Sequence, residues 1–139
     1  MKTRLVITIL LVFLGALVLS FVTGFIPVKQ KKPWPVSDAD KSKVNPMKAD
    51  ASSIADGKAL WAKHCQSCHG KTGKGDGSKA AQLKTEPGNF TVAATQSQTD
   101  GSLYYKTSVG RDDMPGFKKK IPENDDIWSI VNFVRTMKK

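Results

Sequence analysis

The heptapeptide "HCQSCHG", His64 to Gly70, gathers both cysteines and both histidines of a 139-residue chain. Cys65 and Cys68 stand three residues apart and His69 four from Cys65, so on a helix all three address one face. Several chemistries use such a cluster. A thioredoxin-like dithiol also uses C-x-x-C, but it belongs to an alternation of strands and helices that this sequence lacks. A zinc site built from His64, Cys65, Cys68 and His69 would draw four tetrahedral ligands from six consecutive residues, whereas zinc motifs separate their pairs by about a dozen residues. A disulfide would close a loop of two residues and remove little entropy from the denatured chain.

C-x-x-C-H suits a flat ligand better. Its two thiols can form thioethers with the two vinyl groups of a haem, and the adjacent imidazole can reach the iron as proximal ligand. His64, preceding Cys65, points off the shared face and reads as a partly solvated bystander. A haem iron with one imidazole has a sixth position, and Met47, Met114, Met137 and His64 are its candidates. Met114 is the best placed. It follows Arg111-Asp112-Asp113, poor company for a core methionine, in a stretch where Gly110, Pro115, Gly116 and Pro122 specify an irregular loop.

Helices must position these groups. "DASSIADGKALWAKHCQSCHG" carries Ile54, Leu60 and Trp61 at near-helical spacing, with Ser52 or Ser53 as N-cap and Gly70 as the stop. A short helix is expected around Ser78 to Lys84, before Pro87, and another from a capping Asp100 to Ser108. The last segment opens with Pro122 and three acids and ends in lysines, matching the helix dipole at both ends. Ile127, Ile130, Val131 and Val134 make its apolar stripe. No segment offers two clean strands, so the expected class is all-α with long loops.

Ahead of this domain the composition changes twice. Leu5 to Ile26 is a run of 22 residues without a charge, long enough at 1.5 Å per residue to cross a hydrocarbon core of about 30 Å. It exceeds the apolar region of a signal peptide and has only Val22-Thr23-Gly24 as a weak cleavage site, which favours an uncleaved transmembrane anchor. Lys29, Lys31 and Lys32 compete with Lys2 and Arg4 under the positive-inside rule, so charge alone leaves its orientation open. Residues 27–49, with four prolines and six lysines, read as an extended linker. Trp34, between Pro33 and Pro35, is there either an interfacial anchor or an incidental exposed aromatic. The expected organisation is an anchor at 1–26, a linker at 27–49 and one domain at 50–139.

Net charge is +10, but the folded part carries only +4 of it. Its lysines are dispersed among Gly and Gln rather than interleaved with aromatics, which argues against nucleic-acid binding.

Six stretches then carry a resemblance: Gly57-Lys-Ala-Leu-Trp61, Cys65-x-x-Cys68-His69-Gly70, Gly73-x-Gly75-x-Gly77, Pro87-Gly-Asn-Phe90, Gly110-Arg-Asp-Asp-Met114-Pro115-Gly-Phe117 and Asp126-Ile-Trp-Ser-Ile-Val-Asn-Phe-Val-Arg135. Over about Ser53 to Met137 the chain resembles a class I c-type cytochrome, of the single-haem, membrane-anchored bacterial form. The resemblance implies the cytochrome c fold and one haem c held covalently by Cys65 and Cys68. It implies His69 and Met114 as the iron ligands, and the carbonyl of Pro87 as acceptor for the proximal imidazole. It sets Gly57 and Trp61 of the first helix against Ile130 and Phe133 of the last.

With both axial positions filled, the iron would exchange electrons without gaining or losing a ligand. The implied function is a one-electron carrier between respiratory or photosynthetic partners, not an enzyme, with no small-molecule substrate. Lys71, Lys74 and Lys118 to Lys120 would steer redox proteins with acidic docking surfaces. Haem attachment in this family takes place outside the cytoplasmic membrane, so the domain is expected on the periplasmic side. The alternative is a haem enzyme or gas sensor in which Met114 gives way to peroxide, CO or NO.

Overall fold

Every fourth residue of the first long helix turns inward: Ser53, Gly57, Trp61 and then Cys65 are all buried. This ridge widens from two small side chains to an indole, and a partner helix lies along it. The computed structural model describes residues 33–121 and 123–139. In chain order its helices are α1 (Asp38–Lys41), α2 (Ala51–His64), α3 (Gln66–His69), α4 (Ala93–Gln96), α5 (Asp100–Val109) and α6 (Asn124–Arg135), with a 3-10 turn at Ala80–Gln82. Among the described residues there is no strand, only an isolated bridge between Arg111 and Met114. The described part is helical, as expected.

α6 is the central element. α2 packs along one side of it and α5 on another. The apolar stripe expected for α6 is buried, and Trp128, Ser129 and Asn132 are buried beside it, so the helix is covered nearly all round. Polar groups on so covered a helix need partners, and Asn132 has four. Its amide nitrogen donates to the carbonyls of Met47 (3.4 Å) and Lys48 (3.3 Å) and to Ser53 Oγ (3.1 Å), while its oxygen accepts from Asn45 Nδ2 at 2.8 Å. Tyr104 of α5 stacks on Trp128 with ring centres 4.1 Å apart. Arg135 closes the far end by donating to Asp100 Oδ1 and to the carbonyls of Gln96 and Gln98.

Several local expectations shift. Asp50, rather than Ser52 or Ser53, caps α2 by accepting from the Ser53 amide. Thr99 caps α5, because the Asp100 carboxylate is engaged by Arg135. The helix expected around Ser78 to Lys84 shrinks to the 3-10 turn.

The larger difference concerns residues 33–49. Expected within an extended linker, they lie against the helical body. Asn45, Met47 and Lys48 bond to Asn132, Met47 packs on the core, and the backbone of α1 rests on Gly101 of α5. Two asparagines and a glycine, which carry no periodic hydrophobic signal, make these contacts. The expected membrane span at Leu5–Ile26 lies outside the described residues. Among the described residues no helix is long and apolar enough to cross a membrane.

Candidate functional site

α2 and α3 meet at Cys65, whose backbone ends one helix and begins the next. The Cys68 and His69 amides both donate to the Cys65 carbonyl, at 3.1 and 2.9 Å, so the C-x-x-C-H stretch is one tight turn continuous with α2. Both cysteines are free thiols, Cys65 buried and Cys68 half-buried. Burial pushes the Cys65 thiol up to about 12, and the neighbouring Cys68 adds to the shift.

His69 is buried between aromatic rings, with Trp61 at 5.6 Å and Phe90 at 5.1 Å between centres. Burial pushes its imidazole down to about 4, with the Pro87 carbonyl pulling weakly the other way. Its Nδ1 is buried and has no partner of full hydrogen-bond geometry, so Pro87 faces the ring without closing a bond. The glycine-rich loop sets that arrangement: Gly75 donates to the His69 carbonyl (2.9 Å) and Phe90 to the Gly73 carbonyl (2.6 Å), bringing the Pro87–Phe90 stretch back over the imidazole. Trp61 ties the other side by donating from its indole nitrogen to the Gly70 carbonyl at 3.1 Å.

Met114 comes from a loop some 45 residues further on. Arg111 and Met114 exchange backbone hydrogen bonds of 2.8 and 2.9 Å, forming a tight turn in which Asp112 has φ 51°. Gly110 has φ 70°, and a Cβ there would collide with the backbone of Pro115 and Gly116. The amides of Phe117 and Lys118 donate back to Thr107 and Ser108 of α5, fixing the loop's exit. The charged residues before Met114 also fasten the turn. Asp113 accepts from the Lys84 amide at 2.7 Å, and the Arg111 guanidinium donates to the Pro33 carbonyl at 2.6 Å.

Cys65, Cys68, His69, Pro87 and Met114 line one cavity of about 380 Å³. Trp61, Leu103, Ile130, Val131 and Val134, all members of the hydrophobic core, form much of its wall. All five residues expected at the site are thus brought together by tertiary structure from three separate segments. The donor set fits a covalently held haem: two reduced thiols, an imidazole kept neutral and so able to offer a lone pair to a metal, a thioether, and apolar walls for a flat ring. Among the described residues no group of three or more His, Cys, Asp and Glu gathers to hold a bare metal ion, which leaves the zinc alternative without support. His64 is partly solvated, as expected, yet close to the site. It is half-buried, lies against Phe117 with ring centres 5.8 Å apart, and is part of the same cavity wall.

Trp34, expected as an interfacial anchor or an incidental exposed aromatic, packs on the folded body. It is half-buried and lines the cavity together with Pro33, Lys106 and Arg111. None of these four was expected at the site; the signal available was a tryptophan bracketed by prolines in an otherwise lysine-rich stretch.

The model of the family described as "Cytochrome C oxidase, cbb3-type, subunit III" matches residues 52–134. No curated protein sequence matches the chain. Among solved structures, a chain of the Kuenenia stuttgartiensis reducing HAO-like protein complex is similar at a TM-score of 0.60 and 24% identity. The match covers 78% of this chain and 52% of that one, so this chain spans about half its length. At that identity the likeness speaks to the fold.

Proposed function

Since the chain belongs to the family of cbb3-type cytochrome c oxidase subunit III, and is a class I c-type cytochrome made for haem-based electron transfer, we propose that it is a one-electron carrier with His69 and Met114 as iron ligands. The observation that carries this reading is the convergence of Cys65, Cys68, His69 and Met114 on one apolar cavity.

When bound, the haem supplies an iron that changes oxidation state by one electron. Cys65 and Cys68 would hold it through thioethers, each thiol adding across one of its two vinyl groups, and the turn joining α2 to α3 fixes their spacing. His69 binds through a neutral imidazole held by Trp61 and Phe90, with the Pro87 carbonyl offered to Nδ1, a contact that orients the ring and raises its basicity. Met114 contributes a neutral, soft sulfur that favours the ferrous state, and the apolar wall penalises the extra charge of the ferric state. A positive midpoint potential follows.

Lys71, Lys74 and Lys118 to Lys120 are exposed. They form the surface we assign to acidic redox proteins, in weak encounters that salt weakens further. Leu5–Ile26 is the proposed membrane anchor, with the domain on the extracytoplasmic side. Only residues 27–32 then separate the anchor from the packed Pro33, a reach of about 20 Å at full extension. The carrier is held close to the membrane rather than on a long leash.

The test is the absorption spectrum of the purified protein, ferric for the weak Met-to-iron charge-transfer band and ferrous with and without CO, beside Met114→Ala. We expect the band to be present and CO refused, and both to reverse in the variant. A native protein that lacks the band and binds CO has an open sixth position, and the enzyme or sensor reading replaces the carrier.

A further inference from the structure

A segment that precedes the family match contributes to the cavity wall. Pro33 and Trp34 lie there, and both meet Arg111. The guanidinium carbon of Arg111 sits 4.6 Å from the centre of the Trp34 ring, and its Nη1 donates to the Pro33 carbonyl. The ammonium of Lys106 stands 5.7 Å from the same ring. Arg111 and Lys106 line the cavity beside the carboxylates Glu86 and Asp113; Arg111 pairs with Asp112 at 3.5 Å, and the Lys106 ammonium donates to Gln98 Oε1. Arg111 also forms the turn that presents Met114, through the paired backbone bonds between them.

We infer that Trp34 is a positioning residue of the redox centre: its ring is the platform that holds Arg111 in the cavity wall, with Lys106 beside it, and with Pro33 it ties the residues ahead of α1 to the Met114 turn. This inference rests on the proposed placement of a haem in the cavity. The physical case has two parts. A positive charge fixed beside a metal that gains an electron stabilises the reduced state, and it acts more strongly where an aromatic side chain keeps water out. An arginine over an indole face is a recognised attraction, worth more when the pair is partly desolvated; here the Pro33 carbonyl adds a charge-assisted hydrogen bond to it. The first part raises the midpoint potential, against the opposing carboxylates of Glu86 and Asp113, and the second keeps the Arg111 charge in place to do so. Lys106 lies one helical turn from Leu103, which forms the cavity wall, so its stem is anchored by α5 while its ammonium reaches Gln98 Oε1 and the Trp34 ring.

The location gives this tie a further consequence. Residues 27–32 alone connect it to the apolar run. Whatever holds that run therefore acts within a few residues of a side chain that sets the electrostatics of the site.

The test is the midpoint potential of the full-length holoprotein, measured for wild type, Trp34→Ala, Trp34→Phe, Arg111→Gln and the Trp34→Ala/Arg111→Gln pair. A haem-stained denaturing gel establishes covalent cofactor in each, and the Met-to-iron band is recorded alongside. We expect Trp34→Ala and Arg111→Gln each to lower the potential while the stain remains. Trp34→Phe, which keeps a flat face, should restore most of the shift. The pair should fall short of the sum of its singles, since one residue acts through the other. Stained variants whose potential matches wild type overturn the inference and leave the carrier reading intact. Additive shifts overturn the positioning role. A wild type without covalent haem overturns both.

Discussion

A Cβ added to Gly57 would run into the backbone carbonyl of Ser129, so α2 and α6 touch main chain to main chain at this point. Only a residue without a side chain allows that approach. Four residues on, Trp61 fills the diverging space and meets Phe133 with ring centres 6.0 Å apart. The expected partners Ile130 and Phe133 are present, and Ser129 is the residue in closest contact.

Gly57→Ala should therefore push the two helices apart. We expect a loss of about 2–3 kcal/mol, at the upper end for overpacking in a core, read as a lower midpoint in thermal or urea unfolding of the holoprotein. Ser129 contributes its backbone, so Ser129→Ala should be nearly neutral. A Gly57→Ala protein as stable as wild type would place the helix crossing elsewhere.

Gly110→Ala tests the Met114 turn without touching a ligand. The substitution strains a backbone at φ 70° and drives a methyl group into Pro115 and Gly116. Covalent haem should be retained, because Cys65 and Cys68 are remote in the chain, while the Met-to-iron band weakens or vanishes and CO binding appears. A variant with an unaltered band shows that the loop tolerates the methyl group.

Asn132 joins residues 45–48 to the helices, and removing its amide breaks all four of its bonds, leaving the Met47 carbonyl without that donor while the Lys48 carbonyl and the Ser53 hydroxyl keep each other. Asn132→Ala should cost about 3 kcal/mol. A chain that begins at Asp50 should unfold at a lower temperature than one that begins at Pro33, both carrying haem. Equal melting temperatures would return residues 33–49 to the status of a linker.

The Asp50 cap should make stability depend on pH. Its carboxylate lies below the ordinary 3.8, chiefly because the Ser53 amide donates to it, with smaller contributions from the Ser52 amide and the Lys48 charge. A group depressed in the folded state adds stability above its unfolded pKa and loses it as pH falls through the folded value. Asp50→Ala should thus melt earlier than wild type at neutral pH, with the gap closing below about pH 4. Asp50→Asn still accepts the amide and should remove most of that dependence. A gap that stays constant down to acid pH would assign the difference to something other than the carboxylate.

Reversing the charges of Lys118, Lys119 and Lys120 to glutamate should slow oxidation by the anion hexacyanoferrate, of order tenfold at low salt. Oxidation by a cationic cobalt complex should change in the opposite sense, and both effects should fade as salt is added. Equal rates with both reagents would mean that electrons leave by another face.

Local chemistry was legible in the sequence. C-x-x-C-H carries its own geometry, since three side chains within one helical turn share a face whatever surrounds them. Met114 stood out by its loop and its polar neighbours, Pro87 and the Gly57–Trp61 pair only through resemblance to a family, and the cavity lined by Met114 and Pro87 comes from chain segments tens of residues apart. Trp34, Lys106, Arg111 and Asn132 were not legible at all as working parts. Polar and cationic side chains have no period that announces burial, and their roles depend on partners 72 to 87 residues away. The sequence by itself determined which atoms can bond to a haem and which helix carries three of them. Tertiary structure alone decided which segments line the cavity together and that residues 45–48 pack against the helices, because long-range packing, not local preference, sets those contacts.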